Sequence, residues 1–387
     1  MLRGLARTKL RKGLEVGRRI EAWQVNKTTR KQVGKLYKRM DSKMKKIGLV
    51  GCGFIGAVHY DAYCRIKGAK VVAVCDQDYK RAESLLQGEN PAGNISTTSK
   101  NPISFDPASV EVYTDLKEML KDPQIDIIDV CLPTYMHKEA VIKSADARKH
   151  ILCEKPMALS LKEADQMLAA VKKNKVKFMV AHVIRFWPEY VVLTEYISKK
   201  SLGDLLLLKL QRLSPTPTWT WNNWVLDSKK SLSAALDLHI HDTDYILNIC
   251  GKPKAVSSVG LKGVVSQGVD HIHTGYIYAG GPKVSAEGGW AYVANYPFRM
   301  AFNALFEKGA IEYDSMNCKM KVYEKGRPAI TPVLPKGDGY LREIQYFLKC
   351  VETDRCPSIV TPKEARESLR ITLAEINSVE NGKPVVL

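Results

Sequence analysis

From Lys46 onward, short apolar runs alternate with stretches whose apolar positions recur every three or four residues. IGLV (47–50) predicts a strand, and the spacing from Phe54 to about Lys67 predicts a helix stopped by Gly68. VVAVC (71–75) predicts a second strand, and Tyr79–Leu86 a second helix. The same reading gives a strand at VEVY (110–113), a helix at Asp115–Leu120, and a strand at IDIIDVCL (125–132). A helix through Ala140–Ala147 and a strand at HILCE (150–154) follow. Ser160 and Glu163 then form the pattern of a capping box, opening a helix through Val171. Strand–helix alternation of this kind predicts an α/β domain with a doubly wound parallel sheet. Residues 88–110, rich in Gly, Pro, Asn and Ser and without periodicity, read as a loop inserted into it.

Beyond about residue 175 strands dominate: LLLLKLQRL (205–213), VSSVGL (256–261), HIHTGYIYA (271–279) and the stretch 284–323. Strands without intervening helices predict a C-terminal α+β domain with a large, open, mostly antiparallel sheet. Helical spacing returns at Tyr340–Val351 and Thr361–Val379. The expected organisation is therefore a segment 1–43, a first domain 44–165 and a second domain 166–387.

Charge separates the first of these from the rest. The 387 residues carry 59 Lys and Arg against 41 Asp and Glu, and residues 1–43 alone hold 14 of those bases with three acids. Most of the excess thus lies on an arm, which argues against a nucleic-acid-binding body. The arm reads as an extension ahead of Met44. Its alternatives are a targeting peptide, since Leu2, Leu5, Leu10 and Leu14 form a partial stripe, or an anion- or partner-binding segment. No run approaches the ~18–20 apolar residues of a membrane span, so no membrane partner is expected. The nine cysteines are odd in number, lack C-x-x-C, and include several inside apolar strand patterns. They predict buried thiols in a reducing compartment, hence a cytoplasmic protein, with no metal site.

Gly51-Cys52-Gly53-Phe54-Ile55-Gly56 is a G-x-G-x-x-G that follows a predicted strand and opens a predicted helix. The first glycine permits the turn, the second lets backbone approach a pyrophosphate, and the third lets helix and strand pack closely. The helix N-terminus adds free N–H groups and partial positive charge. Asp76 ends the second strand 20 residues past Gly56, where the ribose hydroxyls of NAD would lie. A carboxylate there disfavours the 2′-phosphate of NADP. The expected cofactor is NAD, held in a Rossmann domain.

Glu154-Lys155-Pro156 follows the fifth strand, placing Lys155 at the carboxyl edge of the sheet, where open α/β folds bind ligands. An ammonium beside a nicotinamide can polarise a carbonyl or stabilise an alkoxide. Pro133, Thr134 and His137 border the same crevice. In DLHIHDTD (237–244), a helix would put Asp237 and His241 on one face, suiting His241 to general-base work on a hydroxyl. A strand would instead pair His239 with His241, as in metal-dependent hydrolases. The flanking apolar spacing favours the helix. His271-x-His273 reads as strand decoration. Trp219, Trp221 and Trp224 share one Pro-flanked loop; with Asn222 and Asn223 they suit the faces and hydroxyl rim of a sugar ring, or else the loop aromatics pack onto a neighbouring subunit.

Together the glycine turn, the Glu-Lys-Pro and the Asp-x-x-x-His resemble the glucose–fructose oxidoreductase / inositol dehydrogenase / rhizopine-catabolism (Gfo/Idh/MocA) family over about residues 45–387. The resemblance implies an N-terminal Rossmann domain that binds NAD(P). It also implies a C-terminal domain that carries substrate contacts and the oligomer interface, so a homodimer or homotetramer is expected. It assigns Lys155, Asp237 and His241 to catalysis. Gly51, Gly53, Phe54, Ile55, Gly56 and Asp76 are assigned to the dinucleotide, and Pro133, Thr134, His137, Glu154 and Lys155 to its nicotinamide side. Arg185 is assigned to substrate, with Trp224 from the tryptophan loop. Members often carry Gly-Gly shortly before the catalytic Asp where this chain has Leu232-Ser233, so the backbone there is expected to run differently. The activity implied is an NAD-dependent dehydrogenase acting on a secondary alcohol of a sugar, inositol or related polyol. The alternatives are an NAD-dependent glycosidase using transient oxidation, a dinucleotide-binding sensor, and a metal hydrolase built on His239 and His241.

Overall fold

The computed structural model describes residues 44–89, 93, 107–317 and 319–387. The basic arm and most of the 88–110 insertion lie outside the described residues. Six strands form an all-parallel sheet: β1 Lys45–Val50, β2 Ala69–Cys75, β3 Glu111–Tyr113, β4 Ile127–Val130, β5 His150–Glu154 and β6 Phe178–Ala181. Their order is β3-β2-β1-β4-β5-β6, so the winding reverses between β1 and β4 and leaves a crevice at the carboxyl ends there. Helices cover both faces: α1 Phe54–Cys64, α2 Tyr79–Leu86, α3 Thr134–Asp146 and α4 Leu161–Asn174. A sheet covered on both faces explains the unbroken apolar runs, and all four residues of β4 are buried. Asp129 is the one acid in that strand, and its burial demands a partner.

The sixth strand corrects the expected boundary. The parallel sheet extends to Ala181, and a cut at residue 165 would fall inside α4. A four-residue apolar strand, FMVA, has no distinguishing period and was not resolved from its neighbours in the pattern. At the start of α4, the Ser160 hydroxyl accepts from the Glu163 N–H at 3.3 Å, as the capping box predicts. The return bond goes from the Leu159 N–H to Glu163, one residue earlier than the motif prescribes.

The second sheet has eight strands: β7 Leu205–Pro215, β8 Ala255–Lys262, β9 Val269–Ile277, β10 Lys283–Tyr292, β11 Arg299–Phe306, β12 Gly309–Asp314, β13 Lys321–Glu324 and β14 Val385–Val386. Their order is β13-β12-β11-β7-β10-β9-β8-β14. Only the β7–β10 pair is parallel, giving the open, mostly antiparallel sheet expected. Its inner face packs against helices α5 Pro188–Ser198, α6 Ser233–Asp237, α7 Ile240–Cys250, α8 Gly339–Glu352 and α9 Pro362–Asn381. Helices α8 and α9 also send Ile344, Phe347 and Leu369 into the core of the first sheet, so the chain's last helices tie both layers together. Among the described residues no helix is long and apolar enough to cross a membrane.

Candidate active site

The site begins at the turn between β1 and α1. Gly51 has φ +95°, and a Cβ there would lie 2.5 Å from the Cys131 carbonyl oxygen. A Cβ on Gly56 would lie 2.0 Å from the Gly51 oxygen, so only glycine lets α1 start this close to the strand. Gly53 faces open space and leaves the N-terminal N–H groups of α1 uncovered. At the end of β2 the Asp76 carboxylate accepts from the Cys52 N–H at 2.9 Å and the Asp78 N–H at 3.0 Å. Arg81 reaches back from α2 to both carboxylate oxygens, at 3.1 and 3.3 Å, and its guanidinium lies over the Trp221 ring at 5.4 Å.

This turn opens into a cavity of about 620 Å³. Gly51, Gly53, Phe54, Ile55, Asp76, Pro133, Thr134, Glu154, Lys155, Trp224, Asp237 and His241 all line it. These residues lie up to 190 positions apart in sequence, yet they share one wall system between the two sheets.

Asp237 and His241 do not sit on one continuous helix. Helix α6 ends at Asp237, Leu238 and His239 form a turn, and α7 starts at Ile240. The His241 N–H turns to the Leu238 oxygen at 3.4 Å, leaving the Asp237 carbonyl for another donor. That donor is Lys155, whose Nζ lies 2.7 Å from the Asp237 carbonyl oxygen and 3.4 Å from its Oδ1. Among the described residues the Asp237 carboxylate is bonded to Lys155, and no hydrogen bond joins it to His241. Burial and the charges of Lys155, Arg212 and His182 hold the His241 imidazole well below its ordinary 6.5, so it is neutral near pH 7. Its Nδ1 is buried without a hydrogen-bond partner among the described residues.

Leu232 and Ser233, the cap and first residue of α6, both have positive φ, 57° and 60°. A Gly-Gly pair adopts this conformation at no steric cost, while Leu and Ser adopt it under strain of about 1–2 kcal/mol each. The residue type departs from the family pattern, but the backbone keeps a form that glycines suit.

Three expected site residues lie off the cavity wall. Gly56 acts through packing, as above. His137 is 1% exposed, and its ring nitrogens face the Pro156 and Leu132 carbonyls at 2.8 and 2.7 Å. It therefore braces two cavity-lining loops from behind. Arg185 is consumed by a buried pair with Asp244 (2.8 Å at each nitrogen) and by the Ile359 carbonyl at 2.6 Å. It is a structural ion pair, and Val183, Ile184 and Trp187 of the same segment line the cavity in its place. His239 points away from His241 toward Tyr276 and Glu375, each at 3.4 Å, so the two imidazoles of H-x-H do not share a site. His271 pairs with Glu287 at 3.1 Å on the outer face of the second sheet.

The sequence reading missed Arg81, Arg212, Trp290, Phe298, Met300 and Tyr340 on the cavity wall. Arg212 had a signal: a cation interrupting the apolar run of β7. It is buried and makes a two-pronged pair with Asp242, at 3.0 and 2.9 Å, directly after His241. Trp290 comes from a strand, Phe298 from the residue just before one and Tyr340 from a helix, where they look like ordinary core.

Residues 45–182 match the family model described as oxidoreductase family, NAD-binding Rossmann fold, and residues 190–312 match the GFO/IDH/MocA C-terminal domain. The chain is 26% identical over 355 residues to myo-inositol 2-dehydrogenase of Thermotoga maritima, covering 88% of this chain and 98% of that one. It is 25% identical to scyllo-inositol 2-dehydrogenase (NAD(+)) of Bacillus subtilis, covering 88% and 96%. Its fold is similar to that of levoglucosan dehydrogenase solved with NADH and levoglucosan, at a TM-score of 0.75 and 20% identity, covering 88% and 99%.

Proposed function

The chain belongs to the GFO/IDH/MocA family of NAD-binding oxidoreductases, and from that premise we propose that it oxidises a secondary alcohol of an inositol, sugar or related polyol. The observation that carries this reading is the meeting of Lys155 with Asp237 on the same cavity wall as His241 and the glycine turn. The cavity fits a dinucleotide. Gly53 leaves space at the α1 N-terminus for a diphosphate, and Asp76 offers a carboxylate to ribose hydroxyls. Pro133, Thr134 and Glu154 border the nicotinamide end. When bound, NAD⁺ supplies the hydride acceptor.

The chain's own residues supply the rest. His241, neutral near pH 7, accepts the hydroxyl proton as that bond breaks. The Lys155 ammonium, fixed by the Asp237 carbonyl, stabilises the negative charge growing on the oxygen. Asp237 balances the ammonium and holds it at a fixed point, which makes it a positioning group in this reading. Trp224 and Trp290 line the cavity with flat apolar surfaces, while Lys155 offers a donor, a combination suited to a ring bearing hydroxyls.

We also place the protein in the cytoplasm as a homo-oligomer. All eight cysteines among the described residues are free, which suits a reducing compartment. The outer face of the second sheet exposes Leu207, Val259, Leu261, Ile277 and Leu305, an apolar array that a second copy would cover. Light scattering coupled to size exclusion reads the assembly, and a monomer at micromolar concentration would refute it.

The test of activity is NADH absorbance with NAD⁺ and a panel of inositols, aldoses, anhydrosugars and sugar acids. A rise with one compound identifies the substrate class. NADH binding without turnover across the panel would overturn the dehydrogenase reading and favour transient oxidation or sensing.

A further inference from the structure

Behind Lys155 lies a buried chain of groups that the proposed mechanism does not use. His59, on α1 three residues past the glycine turn, is fully buried. Its Nδ1 lies 2.8 Å from Asp129 Oδ2, on β4, and its Nε2 lies 3.1 Å from Glu154 Oε1, at the end of β5. The other oxygen of Glu154 accepts the main-chain N–H of Lys155 at 3.0 Å. A neutral imidazole has one N–H, so it cannot donate to both carboxylates. Facing a carboxylate at each nitrogen, the ring favours its doubly protonated, positively charged form.

The surroundings agree. Cys131 beyond β4, Tyr63 on α1, and Tyr340 and Glu343 on α8 face the same group. Burial opposes charge on His59, but the Asp129 carboxylate outweighs it and holds the imidazole well above 6.5. For Glu154, burial is likewise outweighed by the hydrogen bond from His59 and the charges of His59 and Lys155, keeping it ionised. Glu343 has both oxygens buried without partners among the described residues, and burial beside Glu154 raises it well above the carboxylate range. It is therefore a neutral acid, whereas His59 and Glu154 carry charge.

We propose that His59 is a positioning residue for the reaction: by clamping Glu154, it fixes the main chain of Lys155 and so sets where the ammonium meets Asp237. The clamp links the three elements that build the cofactor crevice, namely α1, β4 and β5. The proposal rests on the catalytic reading of Lys155, and its test separates the two.

The variants are His59→Asn and His59→Gln. The shorter amide reaches the position of Nδ1 and keeps only Asp129, while the longer one reaches the position of Nε2 and can still donate to Glu154. The first readout needs no substrate: acetylation of Lys155 by acetic anhydride, resolved by peptide mass spectrometry, with NADH fluorescence titration and Tm in parallel. His59→Asn and Glu154→Gln should label severalfold faster at Lys155 than wild type, and His59→Gln should stay near wild type. The second readout is kcat with NAD⁺ and the alcohol found in the panel. His59→Asn should lower it by up to about 10²-fold, the scale of a misplaced catalytic group, with KM little changed and His59→Gln restoring most of it. Equal labelling in all variants, or Asn and Gln variants that both lose activity only in step with Tm, would overturn the proposal. If Lys155→Ala leaves kcat intact while the labelling pattern appears, the catalytic reading of Lys155 falls and the structural clamp stands.

Discussion

The ammonium of Lys155 lies 2.7 Å from the carbonyl oxygen of Asp237, a residue 82 positions away at the break between two helices. One partner stands at the carboxyl edge of the first sheet, and the other on the inner side of the second. The contact therefore exists only when the two layers are packed together. It joins a cation to a carbonyl that the helix break has released, with a carboxylate oxygen at 3.4 Å as a second anchor. It places the charge in a cavity that the glycine turn also lines.

Replacing that charge gives the first prediction. Lys155→Ala should lower kcat by about 10²–10³, the cost of one lost electrostatic donor, with NADH affinity unchanged in a fluorescence titration. Equal losses in NADH binding would mean that Lys155 serves the cofactor alone.

A second prediction concerns the cofactor's ribose end. Arg81 is neutralised by Asp76 and held against Trp221. Asp76→Ala removes the repulsive carboxylate and frees that guanidinium for a 2′-phosphate. The kcat/KM for NADP⁺ should rise about tenfold, equivalent to ~1.4 kcal/mol. The double variant Asp76→Ala/Arg81→Ala should lack the rise, and a rise in both would place the discrimination elsewhere.

The pH dependence follows from His241. Burial, with the charges of Lys155, Arg212 and His182 behind it, holds its pKa well below 6.5. The neutral form is the base, and protonation as pH falls through that pKa removes it. The acid limb of kcat/KM should therefore begin below pH 6.5, with activity retained from neutral pH down past that point. A limb centred at or above 6.5 would assign the base to another group.

Arg185 tests a residue that sequence resemblance placed at substrate. Its guanidinium is spent on Asp244 in the interior. Arg185→Ala leaves that carboxylate buried without its cation, so it should destabilise the fold by about 3–5 kcal/mol in urea unfolding. The KM for substrate, measured on the folded fraction, should not change. A KM rise without loss of stability would restore the substrate role.

The parallel sheet and the glycine turn were legible in the sequence because both rest on local rules. A strand buried on both faces must be apolar throughout, and a turn that brings Gly56 within 2.0 Å of the Gly51 oxygen admits no Cβ. Asp76 was legible for the same reason, since it ends the strand next to that turn. The second sheet showed itself as strands without helices, but not the order in which they pair. That order depends on contacts between distant segments, such as the parallel pairing of β7 with β10.

The sequence by itself determined which residues could do chemistry: a glycine turn with its acid, a lysine at a strand end, and a histidine beside an aspartate. The tertiary structure decided which of them meet. Helical spacing paired Asp237 with His241, but the chain breaks between them and Asp237 turns to Lys155. The family resemblance placed Arg185 at substrate, and only the placement of Asp244 shows it sealed inside. His59 carried no signal beyond following the turn, since its partners lie 70 and 95 residues away. The physical reason is common to all three. A charged side chain in a low-dielectric interior must find an opposite charge or a dipole, and packing chooses which one lies within reach.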